Sequence, residues 1–572
     1  MISVQAFKGM APRVSPGLLD NEQGVRVTGK VLSGELRPWS APHVVAQCDP
    51  GTQGICRTDF GDWLAFDEPV QIHSSPNAND AFGRLYYTRE SGGLYVVSPL
   101  DDYAEFRVGC PRPPVPPAVA VTGTATDPSS LLHDRVYLIT YVNGWGEEGP
   151  PSDSSDFHEW REGQTVTLSD FPVPPLGFKE IVAIRIYRMA VGDTLADWFF
   201  VGEIPGDQET FVDNVEDGAL VSGTLNTAIY GLPQDNARGL VPMGGGVFAT
   251  FEGNELAFSE PFLPYTYPDE YRLSISGHVV ALGYAGGMLQ VLTTSNLWNV
   301  YGAHPESFAL NRQSDVAPCV SPRGVVSMEG GVIFPSGDGL RVVSGGNSSG
   351  LLSRKVLQSD EWVSMFDPLN LVGAYHSGVY YGFYPGGGFA LDLHSEVLTL
   401  TGVRADAVFT DGLSVFLAYD GSILEMDADA AFLRARFLSK IFAYPRPLNI
   451  SSARVDVAVN AVAGRVEAWV DEVKEDNLDL SASPGDVGSL EVGGGSVAGG
   501  GLLDLPLSLG SRPMVLFRLF ADGLLVFENV VQVGLPFRLP AGYMAREWQF
   551  FIESPAPVKR VQLGTSVRSI TR

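Results

Sequence analysis

Apolar and polar positions alternate in short runs along most of this 572-residue chain, and turn residues separate the runs. In RVYLITYVNGWGEEGPPS (135–152), Val136, Leu138 and Thr140 alternate with Tyr137, Ile139 and Tyr141. In IVAIRIYRM (181–189), Ile181, Ala183, Arg185 and Tyr187 alternate with Val182, Ile184, Ile186 and Arg188. A period of two sends successive side chains to opposite faces of a strand. QTVTLSDF (164–171), DWFFVGEI (197–204) and TFVD (210–213) add further strands. So many short strands in about 100 residues predict a β-sandwich of the fibronectin or immunoglobulin kind, here at 111–230.

On either side of that module a unit recurs: a glycine-containing turn, a strand, a second turn and another strand. Its copies lie at 83–98, 246–260, 287–302, 331–345, 378–393 and 412–427, and the last five begin 41, 44, 47 and 34 residues apart. A period of about 40–50 residues with several strands per unit indicates a β-propeller. The first two copies are 163 residues apart, which is one period plus the sandwich. The predicted fold is therefore mainly β: a six-bladed propeller, a β-sandwich inserted after its first blade, and a C-terminal β-domain. The divisions are 1–110 for the N-terminal strands and first blade, 111–230 for the insertion, 231–435 for the remaining blades and 436–572 for the last domain.

Punctuation supports these divisions. CPRPPVPP (110–117) cannot be helix or central strand and reads as a stiff linker. The C-terminal strands are ARVDVAVN (453–460), GRVEAWVDEV (464–473), VLFRLFADG (515–523), EWQFFIES (547–554) and VKRVQLGTS (558–566), with a glycine loop at 493–501. The best helix signal is Ser359–Phe366: Ser359 as cap, Asp360 and Glu361 in the first turn, Pro368 beyond the end.

Composition agrees with a strand-and-turn protein. The chain has 65 Gly and 40 Pro, and only 18% of its residues are charged. Its 38 Lys and Arg against 66 Asp and Glu give −28. Residues 1–435 hold 24 basic and 52 acidic side chains, whereas residues 436–572 hold 14 of each. Such a surface repels nucleic acid and anionic lipid, which excludes a sequence-reading DNA or RNA binder. The N-terminal stretch lacks a signal-peptide core, and no apolar run is long enough to span a membrane.

No residue pattern selects a catalytic, cofactor-binding or metal site. The eight histidines include no HxH or HExxH, and Cys48, Cys56, Cys110 and Cys319 include no CxxC. The sparse cysteines make no disulfide framework and fit a reducing compartment; a Cys48–Cys56 pair across a loop is the minor alternative. The glycine clusters at 244–246, 386–388 and 493–501 lack the Lys-Ser/Thr of a phosphate cradle. Ser336-Gly-Asp338-Gly339 resembles the start of a sialidase aspartate box but lacks its later aromatic, and it reads as a turn. Asp427-Ala-Asp429 resembles half a calcium loop without the glycine. Trp145, Trp160, Trp198, Tyr265, Tyr267 and Tyr271 could make a sugar platform, against a default of core packing.

Seven stretches, in order, resemble one family. They are FKGMAPRVSPGLL (7–19), LSGELRPWSAP (32–42), YVNGWGEEGPPS (141–152), FSEPFLPYTYPDEYRL (258–273), VSPRGVVSMEGGVIFPSGDGLRVVS (320–344), WVSMFDP (362–368) and ESPAPVKRVQLGTS (553–566). The family is the tail tubular protein B, or nozzle, of short-tailed bacteriophages. The resemblance implies a non-enzymatic virion protein, made in the host cytoplasm and built into a homohexameric ring at the distal end of the tail. It further implies a propeller in each subunit, an adaptor ring above, docked fibres, spikes or a needle, and a channel through which double-stranded DNA passes. The lining residues of that channel are not readable from the sequence. The insertion at 111–230 departs from the family pattern. The competing readings are a carbohydrate-binding propeller adhesin and a propeller glycosidase, which would need two carboxylates at a set separation.

Overall fold

The computed structural model describes residues 1–191, 196–216, 220, 223–313, 317–344, 348–458, 514–540 and 542–570. The architecture is mainly β: several small antiparallel sheets stand beside a six-stranded sheet and an eleven-stranded one, in which Gln23–Thr28 runs parallel to Lys8–Met10 and Val397–Leu400. Six groups of four strands follow one another along the chain, and each predicted repeat supplies the second and third strands of one group. The first comprises Val70–Ser74, Leu85–Arg89, Leu94–Val97 and Phe106–Arg107. The second comprises Arg238–Pro242, Phe248–Glu252, Glu255–Phe258 and Leu273–Ser274. The third runs Val279–Ala285, Met288–Thr293, Leu297–Tyr301 and Ala309–Gln313, and the fourth Val326–Met328, Gly331–Ser336, Gly339–Ser344 and Ser348–Leu351. The fifth runs Val372–His376, Val379–Tyr384, Gly387–Asp392 and Val397–Leu400. The sixth takes Ala407–Thr410, Val415–Tyr419 and Ser422–Glu425 from this part of the chain. Its fourth strand, His43–Gln47, comes from the N-terminus.

Tight turns make these hairpins. Ser377-Gly378 and Asp420-Gly421 are two-residue loops in which both residues are left-handed, with φ of 50° and 82° and of 49° and 77°. That backbone twist matches the twist of the strands it joins, and glycine adopts it without a Cβ clash.

The first strands of the groups touch in succession. Val70–Ser74 meets Arg238–Pro242, followed by Val279–Ala285, Val326–Met328, Val372–His376 and Ala407–Thr410. Ala407–Thr410 then meets Gly54–Arg57, which returns to Val70–Ser74. Among the described residues Gly54–Arg57 pairs only with Trp63–Phe66, so a two-stranded hairpin stands between the sixth group and the first. The sequence repeat does not include this hairpin, because it lacks the outer strands that give the repeat its period.

Between the first two groups lie two three-stranded antiparallel sheets. One is Ala118–Thr122, Thr165–Ser169 and Thr210–Asp213; the other is Tyr137–Asn143, Ile181–Val191 and Ala196–Pro205. Tyr137, Ile139 and Tyr141 share a core with Val166, Leu168, Ile184 and Ile186. Residues 108–117 carry neither helix nor strand, in keeping with the proline run.

The two ends of the chain are interleaved. Ile2–Val4 pairs with Val558–Gly564, and Gln23–Thr28 pairs with Ala435–Ser439. Ala435–Ser439 and Met514–Ala521 flank Ala545–Ser554, while Ser452–Val457 pairs with Val558–Gly564. Val4, Phe7, Val27 and Leu36 thus share one core with Phe437, Phe517, Trp548, Phe550 and Val561. The predicted strand at 464–473 and the glycine loop at 493–501 lie outside the described residues.

One expectation is corrected. Ser359 is not the helix cap: Gln358 occupies the cap position without a side-chain bond, and its carbonyl accepts from the Trp362 N–H at 2.9 Å. The start is set by anchoring rather than capping, since Trp362 and Phe366 are fully buried and the Trp362 indole donates to the Ser336 carbonyl at 2.8 Å. Left-handed Asp367 ends the helix before Pro368. Cys48 and Cys56 are not paired; all four cysteines are free thiols. Cys48 is held to the sixth group through its N–H on the Gly421 carbonyl, and Cys56 is buried in the neighbouring hairpin.

Trp362 packs against Phe366 and Phe389 in this core. Trp362→Ala should therefore cost about 3–5 kcal/mol, read from denaturant unfolding. A loss below about 1 kcal/mol would show that the helix is not anchored through this ring.

Candidate functional site

The first strands enclose a cavity of about 420 Å³. Its wall is mixed: Ile55, Val70, Val241, Val279, Val372 and Val408 line it together with the polar Gln53 and Gln71. Glu90, Arg238 and Arg323 supply the charge. A second cavity of about 600 Å³ shares Gln53, Glu90 and Arg323 with the first and adds Asp406. Arg323 sits on the short turn Pro322–Gly324 and donates from Nη2 to the backbone carbonyls of Gln53, at 3.0 Å, and of Asp406. Burial draws its pKa down, and the nearby charges of Asp406 and Glu90 oppose that shift. Arg323 thus ties the hairpin segment to the start of the sixth group while facing two acids. The sequence reading missed these residues. The only signal was basic side chains within the acidic span 1–435, and no spacing joins Arg238 to Arg323.

The second candidate is the joint between the inserted sheets and the first group. In Asn143–Glu147 the Asn143 Oδ1 accepts from the N–H groups of Trp145 and Glu147, each at 3.0 Å. This turn presents Trp145 to Phe82 and Phe106, with the Arg84 guanidinium 5.4 Å from its ring. Arg84 donates from Nη1 to Glu147 Oε1 at 2.5 Å and from Nε to Asp80 Oδ2 at 2.9 Å. All three side chains are under one tenth exposed, at 7–8%. Burial pushes the Glu147 carboxyl up, and Arg84 acts against that shift. Burial also opposes the Asp80 charge, yet hydrogen bonds from Arg84 hold its pKa below the usual value. The next acid turns the other way: Glu148 accepts from Thr140, Arg185 and Tyr187 within the inserted sheet. Adjacent acids therefore fasten the loop to two bodies.

The residues singled out in the sequence are dispersed. Asp338 accepts from Ser336 Oγ at 2.6 Å and from Arg341 at 2.5 and 3.0 Å, and the Arg341 bond holds its carboxyl below the usual range. It is a turn held by an ion pair. Asp427 accepts from the Ser40 N–H at 2.7 Å and pairs with Lys30, fastening the N-terminal segment. Asp429 accepts instead from the Ala431 N–H. Trp145, Tyr265 and Tyr267 belong to the core of the first two groups, Tyr271 to the next core and Trp160 to that of the insertion. Trp198 is half-buried on Ala196–Pro205. The six rings therefore do not form one platform. Among the described residues no group of three or more His, Cys, Asp or Glu side chains is disposed to hold a metal, and no helix is long and apolar enough to cross a membrane.

No protein-family model matches the chain, and no curated protein does. Solved structures similar to it include Sqt1 of Saccharomyces cerevisiae, at 6% identity and a TM-score of 0.30, covering 68% of this chain and 99% of that one. BamB from Moraxella catarrhalis matches at 7% identity and a TM-score of 0.28, covering 70% and 92%. BBS1N, crystallised with ARL6DN, matches at 8% identity and a TM-score of 0.27, covering 67% and 96%.

Removing one partner from a buried ion pair leaves the other charge uncompensated. Glu147→Ala should therefore cost about 3–5 kcal/mol in denaturant unfolding. It should also speed proteolytic cleavage around 108–117 more than elsewhere. Unchanged stability together with an unchanged cleavage pattern would remove the joint assigned to this residue.

Proposed function

We propose that this chain is a structural, non-enzymatic subunit of the distal tail nozzle of a short-tailed bacteriophage. Six copies form a ring around the path by which the genome leaves the virion. In this reading the six four-stranded groups and the Gly54–Phe66 hairpin are blades of one propeller. The inserted sheets are a sandwich set between its first two full blades, and the interleaved chain ends form a third body. The subunit contacts an adaptor ring on one side and fibres, spikes or a needle around it.

The observation that carries the reading is where the family-like stretches fall. Residues 7–19, 32–42 and 553–566 contribute strands or core residues to the interleaving of the two chain ends. Residues 362–368 supply the anchoring rings Trp362 and Phe366 and the end of the helix, and 141–152 make the joint with the insertion. These stretches serve rigidity and connection, as an assembly part requires, and none gathers reactive groups. Charge supports the same reading. A channel that releases DNA must avoid contacts that break at every step, and an acidic wall raises the energy of approach. The screening length at physiological salt is about 8 Å, so the repulsion acts only where duplex and wall nearly touch. The acid surplus lies wholly in 1–435, while 436–572 balances at 14 of each sign and is suited to contacts between proteins.

A head-to-tail interface that closes after six turns of about 60° gives the required ring. Electron microscopy of tails, or of the chain co-expressed with its adaptor, should show sixfold symmetry with this chain as the repeating unit. A five- or twelvefold ring, or no incorporation into tails, would sink the proposal.

A further inference from the structure

The strand Thr165–Ser169 is followed by FPVPPLGF (171–178), a segment without a charged side chain in a chain of net charge −28. Both of its ends are held. Phe171 packs on the core of the inserted sheets, and the Tyr141 hydroxyl donates to the Pro172 carbonyl at 2.5 Å. The Gly177 carbonyl accepts from the Arg107 N–H at 2.7 Å, and the Phe178 ring lies 5.6 Å from the Arg107 guanidinium. Between these anchors, residues 171–175 carry neither helix nor strand. Each of them is a proline or precedes one. Proline fixes φ near about −65° and holds the residue before it extended, so the segment favours polyproline II. Three residues make one turn of that conformation, and side chains three positions apart share a face. Val173 and Leu176 are so spaced. At 86% and 96% they are the two most exposed large apolar side chains among the described residues. Single exposed aliphatic side chains are ordinary, whereas two on one face of a stiff, proline-rich segment form a recognition pattern.

We propose that residues 171–177 dock, through Val173 and Leu176, into an aromatic-lined groove of a partner protein that reads polyproline II. The conformation names this class of reader, because grooves of aromatic rings grip the ridges of a proline-rich helix and take its apolar side chains between them. The prolines and the two anchors restrict the segment before it binds, so docking loses little chain entropy. Its lack of charge suits a groove of rings and keeps the contact free of the repulsion that the acids elsewhere on the chain would raise. This surface does not rest on the nozzle reading: it belongs to the inserted sheets and holds whether or not six copies form a ring.

An SH3 domain and a WW domain, two unrelated folds with such grooves, are suitable probes. Each is labelled with ¹⁵N and titrated with the full chain, and the signals of its groove residues are followed by NMR. At least one should bind saturably with a dissociation constant below about 1 mM, with shifts confined to the aromatic groove. Val173→Asp combined with Leu176→Asp should weaken that binding at least about tenfold, because charge enters an apolar groove. Leu413→Asp, at an apolar position 84% exposed in another part of the chain, should leave it unchanged. Pro174→Gly keeps both apolar side chains but frees the backbone, and it should weaken binding several-fold. No saturable binding by either domain, wild-type affinity in the double variant, or wild-type affinity in Pro174→Gly would each overturn the proposal. Where a variant disturbs folding, competition decides with the unaltered chain: a proline-rich peptide ligand of the probe domain should displace it, and failure to displace would overturn the proposal. Self-association of the full chain in sedimentation velocity that disappears in Leu176→Asp would assign the segment to a second copy and would also overturn it.

Discussion

The pairing of the first fifty residues with strands near the other end of the chain constrains everything else in this molecule. Ile2 lies opposite Leu563, Gly24 opposite Ser439, and His43 opposite Glu425. Distant partners cost loop-closure entropy, but that cost grows only logarithmically, by about 0.6 kcal/mol per doubling of length. Burying one large aliphatic or aromatic side chain returns about 1.5–3 kcal/mol. Val4, Phe7, Val27 and Leu36, all fully buried against the C-terminal strands, outweigh that cost together. The Lys30 and Asp427 pair and the Ser40 N–H on Asp427 fix the same segment to the sixth group. The consequence is kinetic as well: contacts this far apart in sequence form late, so folding should be slow relative to chains with local topology.

The repeats were legible because their second and third strands form a hairpin, and a hairpin writes its alternation and its turn into contiguous sequence. Ser377-Gly378 and Asp420-Gly421 are local signals of that kind. What joins the groups was not legible. His43–Gln47 completes a sheet whose other strands begin at Ala407, and no local pattern names its partner. The Gly54–Arg57 and Trp63–Phe66 hairpin lacked the outer strands that made the other units recur. The sequence reading placed Ser359 at a cap because serine is a good cap. Tertiary anchoring through Trp362 decided the boundary instead.

The candidate sites show the same division. Asn143–Glu147 could be read as a turn, but not as a turn that inserts Trp145 beside Arg84 and carries Glu147 to a buried ion pair. Arg238 and Arg323 are 85 positions apart and meet in one cavity only because the first strands of successive groups converge there. Net charge, by contrast, was legible from composition, independently of how the strands are joined.

The dependence on N-terminal pairing is tested most directly by hydrogen-exchange mass spectrometry of the full chain. The hydrogen-bonded amides of Ile2–Val4, Gln23–Thr28 and His43–Gln47 should be as protected as those of Met288–Thr293, which lies wholly within one group. They should also lose protection together with Ser422–Glu425 and Val558–Gly564 as denaturant is raised. Fast exchange confined to residues 2–47, with the partner strands still fully protected, would show that the N-terminal segment is peripheral and would contradict the account.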